Sequence, residues 1–169
     1  VFSQFIFSQY DIFTVFFMVL GLYFYVRGGL WKFALSFGVA ATFKYHALLF
    51  FLVLLVLREK KIRNLIKYAV VMVVPLMIEV LPNIGNIYFK RNVLGFGVLK
   101  FVQKPFTIGF FDGINLVAVT AAFMLVWAYQ KKTKDNREMF SWGIFFCVGM
   151  SFAIFGFSSW NPQWLLMLV

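Results

Sequence analysis

The sequence predicts an all-α fold: a polytopic transmembrane helical bundle with about four full spans and one hairpin of short helices. Three observations predict it. Of 169 residues, 63% are hydrophobic and only 13% charged, against roughly 45–50% and about 25% in soluble globular domains. The apolar residues lie in long runs, and the basic residues cluster between those runs. A soluble chain of this size has too much surface for its volume to hide so much apolar side chain. Composition therefore excludes a soluble enzyme, a disordered chain and a disulfide-rich secreted domain. The one cysteine, Cys147, stands in an apolar run and offers neither a disulfide nor a cysteine metal site.

A helix that crosses the hydrocarbon needs roughly 20 apolar residues at 1.5 Å each. The expected spans are 12–26, 33–57, 65–81, 114–129 and 139–157. The first is short, but Tyr23 and Tyr25 end it where aromatic side chains favour the membrane interface. The chain opens on Val1 and ends in Leu165-Leu166-Met167-Leu168-Val169, so residues 1–169 are expected to be one transmembrane domain truncated at both ends.

Orientation follows from charge. Segment 27–32 carries Arg27 and Lys32 and no acid. Segment 58–67 carries Arg58, Lys60, Lys61, Arg63 and Lys67 against Glu59, and segment 131–138 carries Lys131, Lys132, Lys134 and Arg137 against Asp135 and Glu138. Basic loops stay cytoplasmic, so all three go inside. The net charge of +10 is thus explained by topology and not by nucleic-acid binding. Gln9-Tyr10-Asp11, the connection 82–113 and the stretch 158–164 then face outward.

Run 33–57 breaks the alternation, because both of its flanks are basic. It is 25 residues long and holds Lys44 and His46 near its middle. Two short helices meeting near Lys44-Tyr45-His46 return the chain to the inside and lift Lys44 and His46 outward. The alternative is one long tilted helix with Lys44 inside the bundle. The outer connection 82–113 mixes Lys90, Arg91, Lys100, Lys104 and Asp112 with apolar residues, a pattern for a short interfacial helix. Its positive charges either touch lipid phosphates or hold a phosphorylated substrate.

Polar groups at membrane depth cost several kcal/mol unless satisfied, which makes each a functional candidate. Asp11 fits an N-cap that accepts from free helix amides, and with Gln9 it also suits sugar hydroxyls or a phosphate. Lys44 with His46 fits a snorkelling hairpin tip or a cation facing an anionic headgroup. Glu79, between Pro75 and Pro82, either pairs with a basic residue or emerges into the interface. Asn115 after Asp112 is explained by helix capping. Asn161 and Gln163 straddle Pro162, which turns the chain and aims both amides outward. Acids at mid-depth, as in a proton-coupled transporter, and polar groups along the full depth, as in a channel, are both missing from the pattern.

Several of these stretches resemble the GT-C membrane glycosyltransferases that use polyprenyl-phosphate sugars. Gln9-Tyr10-Asp11, followed by Gly21-Leu22-Tyr23 and the basic turn Arg27-Gly28-Gly29, is similar to a GQYD-type segment, with Ser8 where the family has Gly. Gly38-Val39-Ala40 with Lys44 is similar to a small-residue segment with a lysine. Asn161-Pro162-Gln163-Trp164 is similar to an HPQY-type segment, with Asn161 in place of the common His. The resemblance covers most of the chain and keeps the order of the motifs.

The resemblance implies transfer of a hexose, mannose-like, from a polyprenyl or dolichyl phosphate to a glycan, lipid or protein acceptor on the extracytoplasmic face. It implies a principal catalytic Asp in a first external loop, upstream of Val1. Asp11 is then a secondary site residue that binds acceptor or donor or helps a divalent metal; no metal ligand set is assigned. Gln9, Tyr10, Lys44, His46, Lys90, Arg91, Asn161 and Gln163 become donor- and substrate-binding candidates, with Lys44, Lys90 and Arg91 on the donor phosphate. The membrane is the plasma membrane in a bacterium or the endoplasmic reticulum in a eukaryote. The competing expectations are a transporter or flippase subunit and a surface-polysaccharide polymerase or ligase.

Overall fold

The computed structural model describes residues 11–90 and 116–157. Among these residues there are seven helices and no strand: α1 (Asp11–Val26), α2 (Leu30–Phe43), α3 (Ala47–Arg58), α4 (Ile62–Asn83), α5 (Ile87–Phe89), α6 (Leu116–Gln130) and α7 (Asn136–Phe157). α1 packs on α2, α2 on α3 and α4, and α3, α6 and α7 on one another.

Each reversal has a local cause. α1 ends at Gly28, whose φ of +85° suits a residue without a Cβ. The amide of Gly29 donates to the Phe24 carbonyl at 2.9 Å and that of Gly28 to Tyr25 at 3.3 Å, the paired bonds of a left-handed helix cap. The run expected over 33–57 is two helices, α2 and α3. Lys44 between them is extended at φ −148° and ψ 119°, and its amide still donates to Ala40. Neither Pro nor Gly stands at this break. The return is secured by rings: Phe33 stacks on Phe51 at 5.1 Å, and Phe37 lies 6.1 Å from the same ring.

α2 lies unusually close to α4. A Cβ built at Gly38 would overlap the Met72 carbonyl oxygen and stand 3.0 Å from the Pro75 ring. Ala34 and Ala41 on the same helix are fully buried. Small residues let two backbones approach where apolar burial gives no driving force between helices in lipid.

Among the described residues, α4 is the one helix long and apolar enough to cross a membrane, with almost none of it buried in the bundle. Ile66, Val70 and Ile78 are 59–70% exposed. An uninterrupted apolar face of this kind marks a lipid or protein interface. α1, α2, α3 and α6 are apolar but shorter than a full span, so the described helices do not supply the four full spans expected from sequence. α4 also runs from residue 62 to 83 rather than 65 to 81 and holds Pro75 and Pro82 within it.

All three basic turns gather at one end of the bundle. Arg58 Nη1 donates to the Tyr25 carbonyl, which joins the first turn to the second. Lys60 Nζ donates to the Ala128 carbonyl at 2.7 Å, and the Tyr129 hydroxyl donates to the Lys60 carbonyl at 3.2 Å, which joins the second to the third. The antiparallel course of the helices then places the start of α1, the α2–α3 break, the end of α4, the start of α6 and the end of α7 at the opposite end.

Candidate active site

At the end opposite the basic turns, α1 meets the α2–α3 break. Phe43, the last residue of α2, stacks on Phe13 at 5.6 Å and on Phe17 at 6.2 Å. Two residues before Phe13, the backbone of Asp11 is helical in the first described turn of α1. The backbone of Asp11 and the Lys44–His46 connector, 33 positions apart at Lys44, therefore belong to neighbouring elements at one end.

α4 contributes from the other flank. Glu79, in the last turns of α4, is exposed. Lys44 and His46 both engage other groups. The His46 ring stands edge-on to Phe50 at 6.2 Å. The same imidazole lies at one end of a groove of about 380 Å³ between α1, α3 and α7.

Lys90 follows α5, is exposed, and donates its amide to the Asn86 carbonyl at 3.0 Å. Asn86 caps α5, its Oδ1 accepting from the amides of Tyr88 at 2.8 Å and Phe89 at 3.3 Å. A single helical turn thus stands at the start of the connection read as interfacial. Gln9, Tyr10, Arg91, Asp112, Asn115, Asn161 and Gln163 lie outside the described residues. Among the described residues, no three His, Cys, Asp or Glu side chains cluster to hold a metal.

The opposite end is held by cations over rings and carbonyls. Lys60 Nζ donates to Val56 and Ala128, both at 2.7 Å and both in the last turns of their helices, where the helix dipoles favour a positive charge. Burial pushes the Lys60 ammonium down to about 8. Glu59 Oε1 accepts from the amides of Lys60 and Lys61 at 3.0 Å, and Oε2 accepts from Asn64 at 2.9 Å. The Lys61 amide above all holds the Glu59 carboxyl below the usual carboxylate range, with the Asn64 side chain and the Lys60 amide adding to it and burial opposing. Lys131 lies 4.1 Å from the Trp142 ring centre and 3.5 Å from Glu138. Tyr25, expected at the interface beside Tyr23, is instead fully buried, while Tyr23 is about half exposed. Arg58 lies over the Tyr25 ring at 5.3 Å, and the Tyr25 hydroxyl has no hydrogen-bond partner among the described residues.

A helical bundle with an apolar exterior, its basic turns at one end and, among the described residues, Lys44, His46 and Glu79 toward the other, is the plan of a polytopic membrane protein. Within that class the chain belongs to glycosyltransferase family 87, whose family model matches residues 1–88. The protein is therefore a membrane glycosyltransferase of GT-C type. The matched region spans α1, the connector and α4, which are the elements that bring Asp11, Lys44 and Glu79 to one end. Neither the curated proteins nor the solved structures contain a match to this chain.

Proposed function

We propose that the protein transfers a hexose, mannose-like, from a polyprenyl-phosphate carrier to an acceptor hydroxyl at the end of the bundle remote from the basic turns, and that this end is extracytoplasmic. The observation that carries the reading is the meeting of α1's start with the Lys44–His46 connector through Phe13, Phe17 and Phe43. It supports the reading because the backbone segments that carry Asp11 and Lys44 belong to elements that meet at one end of an apolar bundle.

The chemistry assigns opposite tasks to an acidic and a basic group, and in this reading the base is the principal Asp that the resemblance implies and not Asp11. The acceptor oxygen attacks the anomeric carbon, the bond from that carbon to the phosphate oxygen breaks, and the electron pair leaves with the phosphate. A carboxylate base takes the proton of the acceptor hydroxyl. Positive charge stabilises the departing phosphate, more strongly in a low-dielectric site than in water. Lys44, Lys90 and Arg91 supply that charge in this reading. Asp11 and Gln9 orient sugar hydroxyls, with Tyr10, His46, Asn161 and Gln163 completing the polar wall.

The test is sugar transfer by the full-length protein in lipid, with a polyprenyl-phosphate sugar as donor, comparing Asp11→Asn and Lys44→Ala with wild type. Both variants are expected to lose transfer while keeping their expression and melting behaviour. Wild-type rates in both would remove the assignment.

A further inference from the structure

The basic end of the bundle carries more positive charge than its own acids neutralise. Segments 58–67 and 131–138 hold nine basic residues against Glu59, Asp135 and Glu138. The bonds from Lys60 to Ala128 and from Tyr129 to Lys60 hold the two segments together, so their like charges share one surface. The acids are taken up by backbone. Glu59 accepts the Lys60 and Lys61 amides, Asp135 Oδ1 accepts the Glu138 amide at 2.7 Å, and Glu138 Oε2 accepts the Lys134 amide at 2.8 Å. Among the described residues the one ion pair is Lys131–Glu138 at 3.5 Å. Lys61, Arg63 and Lys132 are exposed, and no acid among the described residues lies within ion-pair distance of them. Arg63 also stands in the first turn of α4, which holds no acid and where the helix dipole disfavours a cation. Membrane topology asks for positive loops; it does not ask for them to converge, nor for one cation to enter a helix start.

We propose that the seam between the α3–α4 turn and the α6–α7 turn binds the phosphate headgroup of an anionic phospholipid, held by Lys61, Arg63 and Lys132. This occupancy does not depend on the sugar donor proposed above. The surroundings favour an amphiphile over a soluble anion. Ile62 and Ile66, one turn apart at the start of α4, are 71% and 59% exposed, and Tyr129 at the seam is 49% exposed. A phosphate on the cations therefore has apolar side chains beside it for its acyl chains. Tyr129 marks headgroup depth, where amphipathic rings settle. Anionic leaflets attract basic juxtamembrane segments in general. Here two turns fixed to each other present cations from two segments, and the Arg63 guanidinium offers paired donors to phosphate oxygens. The bound anion offsets the repulsion between the turns and so strengthens the contact that Lys60 makes with α6.

The test is melting of the full-length protein in phosphatidylcholine nanodiscs that carry a rising fraction of phosphatidylglycerol. Arg63→Gln with Lys132→Gln removes two charges from the seam. Arg27→Gln with Lys32→Gln removes two from the first basic turn at the same end and is the control; all four side chains are exposed. Wild type is expected to gain melting temperature and to saturate, with no gain in phosphatidylcholine alone. The seam variant is expected to need about tenfold more phosphatidylglycerol for half the gain, and the control no more than about twofold more. Lys61→Gln alone is expected to shift the half-point about threefold, which keeps the test decisive if the double variant does not fold. Equal losses in seam variant and control show a diffuse field without a site and overturn the proposal. A wild type that does not respond to phosphatidylglycerol overturns it as well. Glycerol phosphate added to phosphatidylcholine discs tests the soluble anion, and a matching gain identifies a free phosphate as the occupant. Poly-glutamate that stabilises wild type at lower concentration than phosphatidylglycerol identifies an acidic protein partner. Either result overturns the lipid assignment. Native mass spectrometry adds a readout independent of stability: wild type and control are expected to retain phosphatidylglycerol and the seam variant to lose it, and retention by all three overturns the proposal.

Discussion

Lys60 donates its ammonium to the carbonyl of Ala128 at 2.7 Å, across 68 positions of the chain. This bond ties the turn after α3 to the last turn of α6, and it does so with a cation that burial holds at about 8. The folded value lies below the unfolded one, so the unfolded chain binds more protons between pH 8 and 10.5. Stability therefore rises with pH through that window, is complete above it and is lost as pH falls through 8. Melting of the detergent-solubilised protein between pH 7 and 10.5 is expected to show this rise. Lys60→Met is expected to remove the pH dependence and, through the two lost carbonyl bonds, to cost about 1–2 kcal/mol.

Gly38→Leu should separate α2 from α4. The added side chain meets the backbone carbonyl of Met72 and the Pro75 ring, neither of which can rotate away. Overpacking of this kind costs roughly 1–3 kcal/mol. Leu35→Ala, at a position 39% exposed, is expected to stay within about 0.5 kcal/mol of wild type. Equal melting temperatures for the two variants would contradict the close approach.

Acid should loosen the start of α4. Amides of Lys61 and Lys60 and the side chain of Asn64 hold the Glu59 carboxyl below its usual range. A carboxyl depressed in the folded state adds stability above its unfolded value of 4.5, and that stability disappears as pH falls through the folded value. Glu59→Gln is expected to melt lower than wild type at pH 7, with the gap narrowing as pH falls below 4.5. A gap that stays constant through acid titration would point to another role.

Lys44→Ala is expected to slow sugar transfer by about 10²-fold or more, the scale seen when one stabilising group is withdrawn from a developing negative charge. Lys44→Arg keeps the charge and is expected to retain a measurable part of the rate. Single-turnover assays of both variants check this, and equal rates for Ala and Arg would show that the charge is not used.

The candidate site was legible where its signal was local. Lys44 and His46 stood out because two polar side chains in an apolar run between basic flanks call for a break, and the helix does leave its course at Lys44. The carboxylate of Asp11 was visible for the same reason. Glu79 was visible as an acid near the outer end of its helix, between Pro75 and Pro82.

By itself the sequence determined the all-helical class, the positions of the basic turns and the glycine reversal at Gly28, since these rest on local hydropathy, charge and backbone freedom. The tertiary structure decided that Tyr25 is buried under Arg58 rather than seated at an interface, that Gly38 brings two backbones together, and that α1, α3 and α7 leave a groove leading to His46. The physical reason is that each of these is a contact between helices distant in the chain, chosen by side-chain shape and packing rather than by any pattern within one segment.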